Sequence, residues 1–209
     1  MERTRTEQYL RILLYLVFAV GIAGHVFAVS RNLMISITPV FLFTVQIFVF
    51  SREIKNRKMI SWFAFAFAIS FVLEIIGVKT GLIFGKYEYS DVLGVKMFGV
   101  PLIIGLNWIF VTAGAIKIAD LLKIKNPFLP AFLTVLFDFI LEPAAVFLNY
   151  WQWQNSIIPI QNYAAWFVIS LIIVIIFRKM EIKESNILFA DFFLAQFLFF
   201  AGIRIFLWV

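Results

Sequence analysis

Seven runs of about 18 or more mainly apolar residues follow one another along the chain, separated by short polar stretches, and nothing else in the sequence constrains the fold as much. They cover Ile12 to Ser30, Leu33 to Phe50, Met59 to Val78, Met97 to Ile116, Pro127 to Leu148, Ile157 to Phe177 and Asn186 to Val209. As helices, runs of this length match the hydrocarbon core of a bilayer, about 30 Å thick. In lipid each backbone N–H and C=O must find its partner within the segment, which favours the helix. The sequence therefore predicts an all-α integral membrane protein: a seven-transmembrane-helix bundle forming a single polytopic domain over residues 1–209. The hydrophobic share of 63% agrees, since soluble domains have about 45–50%.

The charges orient this bundle. Of the 18 Lys and Arg residues, 13 fall in the set of loops that includes the N-terminus and 5 in the alternate set. The excess of basic residues on the cytoplasmic side of membrane proteins then places the N-terminus in the cytoplasm and the C-terminus outside, in a multi-pass protein of the bacterial cytoplasmic membrane. The formal charge of +6 is spread over these short loops, so it points to membrane topology and excludes nucleic acid as a partner. The opening stretch Met1 to Arg11 is charged and lacks a small-residue cleavage site, so it reads as retained rather than as a signal peptide. Zero cysteines exclude disulfides, thiolate metal sites and a cysteine nucleophile.

Acids inside such segments are costly and mark candidate sites. The stretch Asp138 to Trp153, DFILEPAAVFLNYWQW, carries Asp138 and Glu142 four residues apart, on one helical face. With the N-terminus inside, Glu74, His25, Asn107 and Arg204 lie at a similar depth, so six polar groups from five segments are expected to converge. Only Arg204 is an obvious cationic partner for three acids, so at least one acid is expected to hold a proton and serve as a donor. Pro143 is expected to kink or loosen the fifth helix beside Glu142 and free a carbonyl for water. Asp191 falls near the cytoplasmic end of the last segment, apart from this group. His25, Asn107 and Gln46 also suit plain hydrogen bonds between helices, and Tyr87, Tyr89, Trp151 and Trp153 suit an interfacial aromatic belt.

Two loops lie above the acids. Lys79 to Pro101 spaces Gly81, Gly85, Gly94 and Gly99 among aromatics, which predicts a folded or partly re-entrant loop. Tyr150 to Asn162 is uncharged and aromatic, and reads as a lid.

Glu74, the pattern TGxxFGxYxYxxxLG from Thr80 to Gly94, the GVP at Gly99 to Pro101, and DxxxEPxA from Asp138 to Ala144 followed by YWQW together resemble the carotenoid biosynthesis membrane-protein family. That family includes carotenoid 1,2-hydratases of the bisanhydrobacterioruberin and γ-carotene type. The resemblance implies addition of water to a terminal isopropylidene double bond of a lipophilic carotenoid taken from the membrane lipid, with no cofactor, metal or redox step. The basic charge favours a C40 substrate such as γ-carotene or lycopene over the substrates of acidic halophile proteins. The family's acidic motifs fall at Glu74, Asp138 and Glu142, the candidate catalytic residues. Tyr87, Tyr89, Asn107, Trp151, Trp153 and His25 are the candidate substrate-binding residues, the aromatic faces among them suited to a carbocation. A lycopene cyclase, which begins with the same protonation, and a small proton-coupled transporter remain as alternatives. A retinal protein is excluded, because the last segment has no lysine.

Overall fold

The computed structural model describes residues 2–183 and 186–209, with the side chains of residues 2–4, Arg3 among them, left undescribed. Seven helices, all long and apolar enough to cross a membrane, make up the fold: α1 (Glu2–Val26), α2 (Ala28–Ser51), α3 (Arg57–Thr80), α4 (Leu102–Leu121), α5 (Phe128–Phe147), α6 (Ile160–Lys179) and α7 (Leu188–Leu207). α1 begins well before the apolar run, because Glu2 to Arg11 contains neither glycine nor proline and continues the helix as polar turns. The fourth helix starts at Leu102 and not at Met97. Residues before it form a small antiparallel pair, β2 (Lys96–Met97) with β3 (Val100–Pro101), turned by Phe98 and Gly99 at positive φ.

α4 is the axis of the bundle, packing against α2, α3, α5, α6 and α7. Its Gly114 lets α7 come close: a Cβ there would stand 2.6 Å from the backbone oxygen of Phe189. Small residues at such crossings let helices gain van der Waals contact where lipid supplies no hydrophobic drive. Around this axis Phe63, Phe110, Phe189 and Phe192 pack edge to face or tilted, with ring centroids 5.5 to 6.0 Å apart.

Helix ends inside an apolar protein need partners for their free carbonyls. α1 and α2 are joined through Phe27 alone. Ser30 Oγ donates to Gly24 O (2.8 Å), and Arg31 donates to His25 O (2.8 Å) and Val26 O (2.9 Å). α3 ends on Gly81 in the left-handed region (φ 69°), which turns the chain back over the bundle.

The two loops meet as a ribbon: β1 (Tyr87–Tyr89) runs antiparallel to β4 (Trp151–Trp153), with Tyr87 opposite Trp153 and Tyr89 opposite Trp151. Side chains alternate along a strand. Glu88 and Gln152 are exposed, whereas Tyr87, Trp151 and Trp153 are buried towards the bundle.

At the opposite end, α7 and α1 are tied by an ion pair. Arg11 donates to both oxygens of Asp191 (2.6 and 3.0 Å), and Tyr15 Oη donates to the same carboxylate (3.1 Å). Asp191, placed by its sequence position near the surface, is 2% exposed. α5 runs through Pro143 without a break. The carbonyl that proline leaves without an N–H, Phe139 O, accepts instead from Arg204 Nη1 (3.1 Å). The carbonyl expected to be freed for water is therefore taken by an arginine, which stands in for the missing amide.

Candidate active site

Three buried acids collect beneath the ribbon. Glu74 comes from α3 and lies on the α4 side, where α4 supplies Trp108. Asp138 and Glu142 come from successive turns of α5 and face α6, where Asn162 sits in the first turn after Pro159. Their exposures are 4%, 1% and 2%.

Each acid is held differently. Glu74 Oε2 accepts from Tyr87 Oη (2.5 Å) and Tyr89 Oη (2.9 Å), and its Oε1 accepts from Trp108 Nε1 (2.9 Å). Glu142 Oε2 accepts from Trp153 Nε1 (2.7 Å) and Trp151 Nε1 (3.0 Å), and its Oε1 from Asn162 Nδ2 (3.2 Å). Asn162 Nδ2 also donates to Asp138 Oδ2 (2.6 Å), so one amide bridges the two acids. Asp138 Oδ1 is buried with no partner. Two of the carboxyls are thus surrounded by three neutral donors apiece, and the third has a bare oxygen.

The ribbon explains how a YEY and a WQW segment reach two different acids. Alternation puts both tyrosines of β1 and both tryptophans of β4 on the inner face, and pairing brings the Tyr87 and Trp153 rings to 4.9 Å and the Tyr89 and Trp151 rings to 5.7 Å. Burial, reinforced by the charge on Glu74, pushes the Tyr87 and Tyr89 hydroxyls well above their usual pKa, so both remain O–H donors. Below, Trp108 and Trp166 stack at 3.7 Å, a contact adding about 0.5–1.5 kcal/mol beyond burial. The acids, these rings, Asn107 and Asn162 enclose a cavity of about 40 Å³. One water needs roughly 10–15 Å³ measured this way, so the space suits a few waters.

Of the six polar groups expected to converge, four do so: Glu74, Asp138, Glu142 and Asn107 line this cavity, with Tyr87, Tyr89, Trp151 and Trp153. His25 lies in the wall of a separate cavity between α1, α2 and α7. Arg204 is the other departure, turned to Phe139 O and the Phe139 ring (5.4 Å). Among the described residues no ion pair involves the three acids. Asn107 also bonds helices together, its Oδ1 accepting from Gln46 Nε2 (3.3 Å) and Gln196 Nε2 (3.0 Å). Asn162, Trp108 and Trp166 were not singled out in the sequence. Asn162 carried a signal, as an amide at the start of an apolar segment beside two acids; the tryptophans carried none, because their meaning depends on which helices touch.

The sequence profile of the family described as carotenoid biosynthesis protein matches residues 9–209, nearly the whole chain. The chain belongs to the carotenoid biosynthesis protein family. Comparison with curated proteins and with solved structures gives no match. Membership assigns the protein a role in carotenoid biosynthesis, and its seven helices are long and apolar enough to cross a membrane. The aromatic and acidic motifs of the ribbon end fall within the matched residues.

Proposed function

We propose that this carotenoid biosynthesis protein is a hydratase, adding water to the terminal isopropylidene double bond of an acyclic carotenoid end on a C40 substrate of the lycopene or γ-carotene kind. The observation that carries the reading is the bare Asp138 Oδ1 between two carboxyls saturated by neutral donors. Hydration requires a positioned acid, a surround that tolerates a cation, and a base for the proton of water. Asp138 fits the acid, having one oxygen free to present O–H to the alkene. Glu142 and Glu74 fit the base and the counter-charges, each having three donors aimed at its oxygens.

The step balances. The alkene π pair takes the Asp138 proton at the less substituted carbon, leaving a tertiary cation and the Asp138 carboxylate. A cavity water forms the C–O bond and passes a proton to Glu142, from which it returns to Asp138 through a second water. Trp108, Trp151, Trp153 and Tyr87 present ring faces or edges around the site, and cation–π attraction is worth about 2 kcal/mol or more where water is excluded.

The cavity has room for a few waters, so on this reading the ribbon lifts to admit the end group together with the polyene behind it. The small aromatic cavity also suits a cyclase, which captures the same cation internally. Mass separates the two readings. Expressed in a lycopene-producing bacterial host, a hydratase yields pigment heavier by one water, whereas a cyclase yields an isomer of unchanged mass. Unchanged pigment in cells containing folded protein would count against both.

A further inference from the structure

The cavity that contains His25 has a volume of about 360 Å³ and is almost wholly apolar. Leu16, Val20 and Ile37 line it and are 56%, 65% and 44% exposed, so it opens sideways between α1 and α2, where lipid would lie. Its few polar groups share one property. His25 Nδ1 must donate to Gly21 O (2.7 Å), because a carbonyl only accepts. In the neutral ring this leaves Nε2 as an acceptor. Its neighbour Thr38 Oγ1, at 3.5 Å, spends its single proton on Met34 O (2.8 Å) and itself accepts from Tyr150 Oη (3.4 Å). Gln196, 1% exposed, donates through Nε2 to Asn107, and its buried Oε1 has no partner. The apolar chamber is thus lined by two residues with an acceptor short of a good donor, Gln196 Oε1 just behind its wall and His25 Nε2 with only the distant, already committed Thr38 hydroxyl, and hydrocarbon cannot supply one.

We propose that this cavity is a binding site for the hydroxyl-bearing end of an isoprenoid chain, its O–H donating to Gln196 Oε1 or His25 Nε2 while the chain extends past Leu16 and Ile37 into lipid. Gln196 reaches Asn107, which lines the acid cavity, so the site lies directly beside the place where such an alcohol would form. That the chain is a carotenoid rests on the hydratase reading; that the ligand brings a hydrogen-bond donor does not.

The test uses the full protein in nanodiscs containing equal amounts of lycopene and deuterium-labelled 1-hydroxylycopene, followed by affinity capture and mass analysis of the retained pigment. One added hydrogen bond predicts enrichment of the labelled alcohol over lycopene by about three- to tenfold. The double variant Gln196→Leu, His25→Phe should bring the ratio to about one. Ile37→Trp, which narrows the mouth and leaves the acceptors in place, should lower alcohol retention without depending on the double variant folding. Equal retention by the wild type, or enrichment unchanged in both variants, overturns the proposal. Unlabelled alcohol formed from lycopene reports the reaction separately: enrichment without it sinks the hydratase reading alone, and its formation without enrichment sinks this site alone.

Discussion

The two ends of the bundle treat a buried carboxylate in opposite ways. Away from the ribbon, Asp191 is clasped by a guanidinium through two bonds and by a tyrosine, and the pair ties α1 to α7. Under the ribbon, three acids as deeply buried have no cation among the described residues and are held by phenols, indoles and an amide. Arg204, at their end of the bundle, is committed to backbone carbonyls. A carboxylate paired with arginine is fixed in charge and serves structure. Acids surrounded only by neutral donors can exchange protons with one another and with substrate, at the cost of leaving charge poorly compensated in an apolar medium. The difference teaches that burial alone does not mark a reactive acid; the chemistry of its donors does.

The sharpest break of this comparison is to replace one acid at each end by its amide. Asp138→Asn keeps volume and the bond from Asn162 but removes the proton donor, and a positioned general acid contributes about 10² to 10⁴ in rate. Alcohol formation should fall on that scale while thermal stability changes little. Trp153→Phe comes next: it removes a 2.7 Å donor to Glu142, and loss of a bond to a charged group is worth about 1.5–3 kcal/mol, so the rate should fall by about ten- to a hundredfold as read by pigment assay.

Asp191→Asn should do the converse, leaving the rate near wild type and lowering stability. Breaking a buried pair costs about 3–5 kcal/mol, but the Arg11 side chain is 43% exposed, so about 1–2 kcal/mol is expected here from denaturation in detergent. A smaller effect concerns pH. Burial pushes the Tyr150 hydroxyl up to about 12 and those of Tyr87 and Tyr89 well above their usual range. A folded pKa raised above the unfolded value of about 10 contributes stability that is complete below pH 10 and lost as pH rises through the folded values. The rate profile should therefore show no tyrosine limb below about pH 10. Smallest of all is Asp91→Asn. Its acid is drawn below the usual range by the hydrogen bond from Lys96 and then by the lysine's charge, so the contribution fades as pH falls through that lowered value. The group is fully exposed, and activity and melting temperature should not change measurably at neutral pH.

Much of the framework was legible in the sequence, because lipid imposes long apolar segments and each acid inside one stands out. The i, i+4 spacing of Asp138 and Glu142 was enough to place them together, and the glycine-spaced loop was enough to foretell a folded cover. What the sequence could not show was pairing. That YEY and WQW form two strands of one ribbon depends on two loops meeting across 62 residues of chain, the separation from Tyr89 to Trp151. Arg204 misled for the same reason: its depth was readable, but the claim of Phe139 O upon it arises only once α7 packs on α5 at Pro143. Asn107 and Gln46 were each readable as helix-to-helix glue, yet neither their pairing nor the second partner of Asn107 on α7 was.

The central claim, that the unpaired acids deliver a proton to a polyene carbon, is tested most directly in heavy water. Wild-type protein and Asp138→Asn, at equal folded amounts in nanodiscs containing lycopene, are incubated in deuterium oxide, and the pigment is then exchanged against ordinary water before mass analysis. The account predicts wild-type product that has gained one oxygen and retains one deuterium fixed on carbon, with little such product from Asp138→Asn. Pigment from the wild type that is unchanged in mass, or the same labelled product formed equally well by Asp138→Asn, would contradict it.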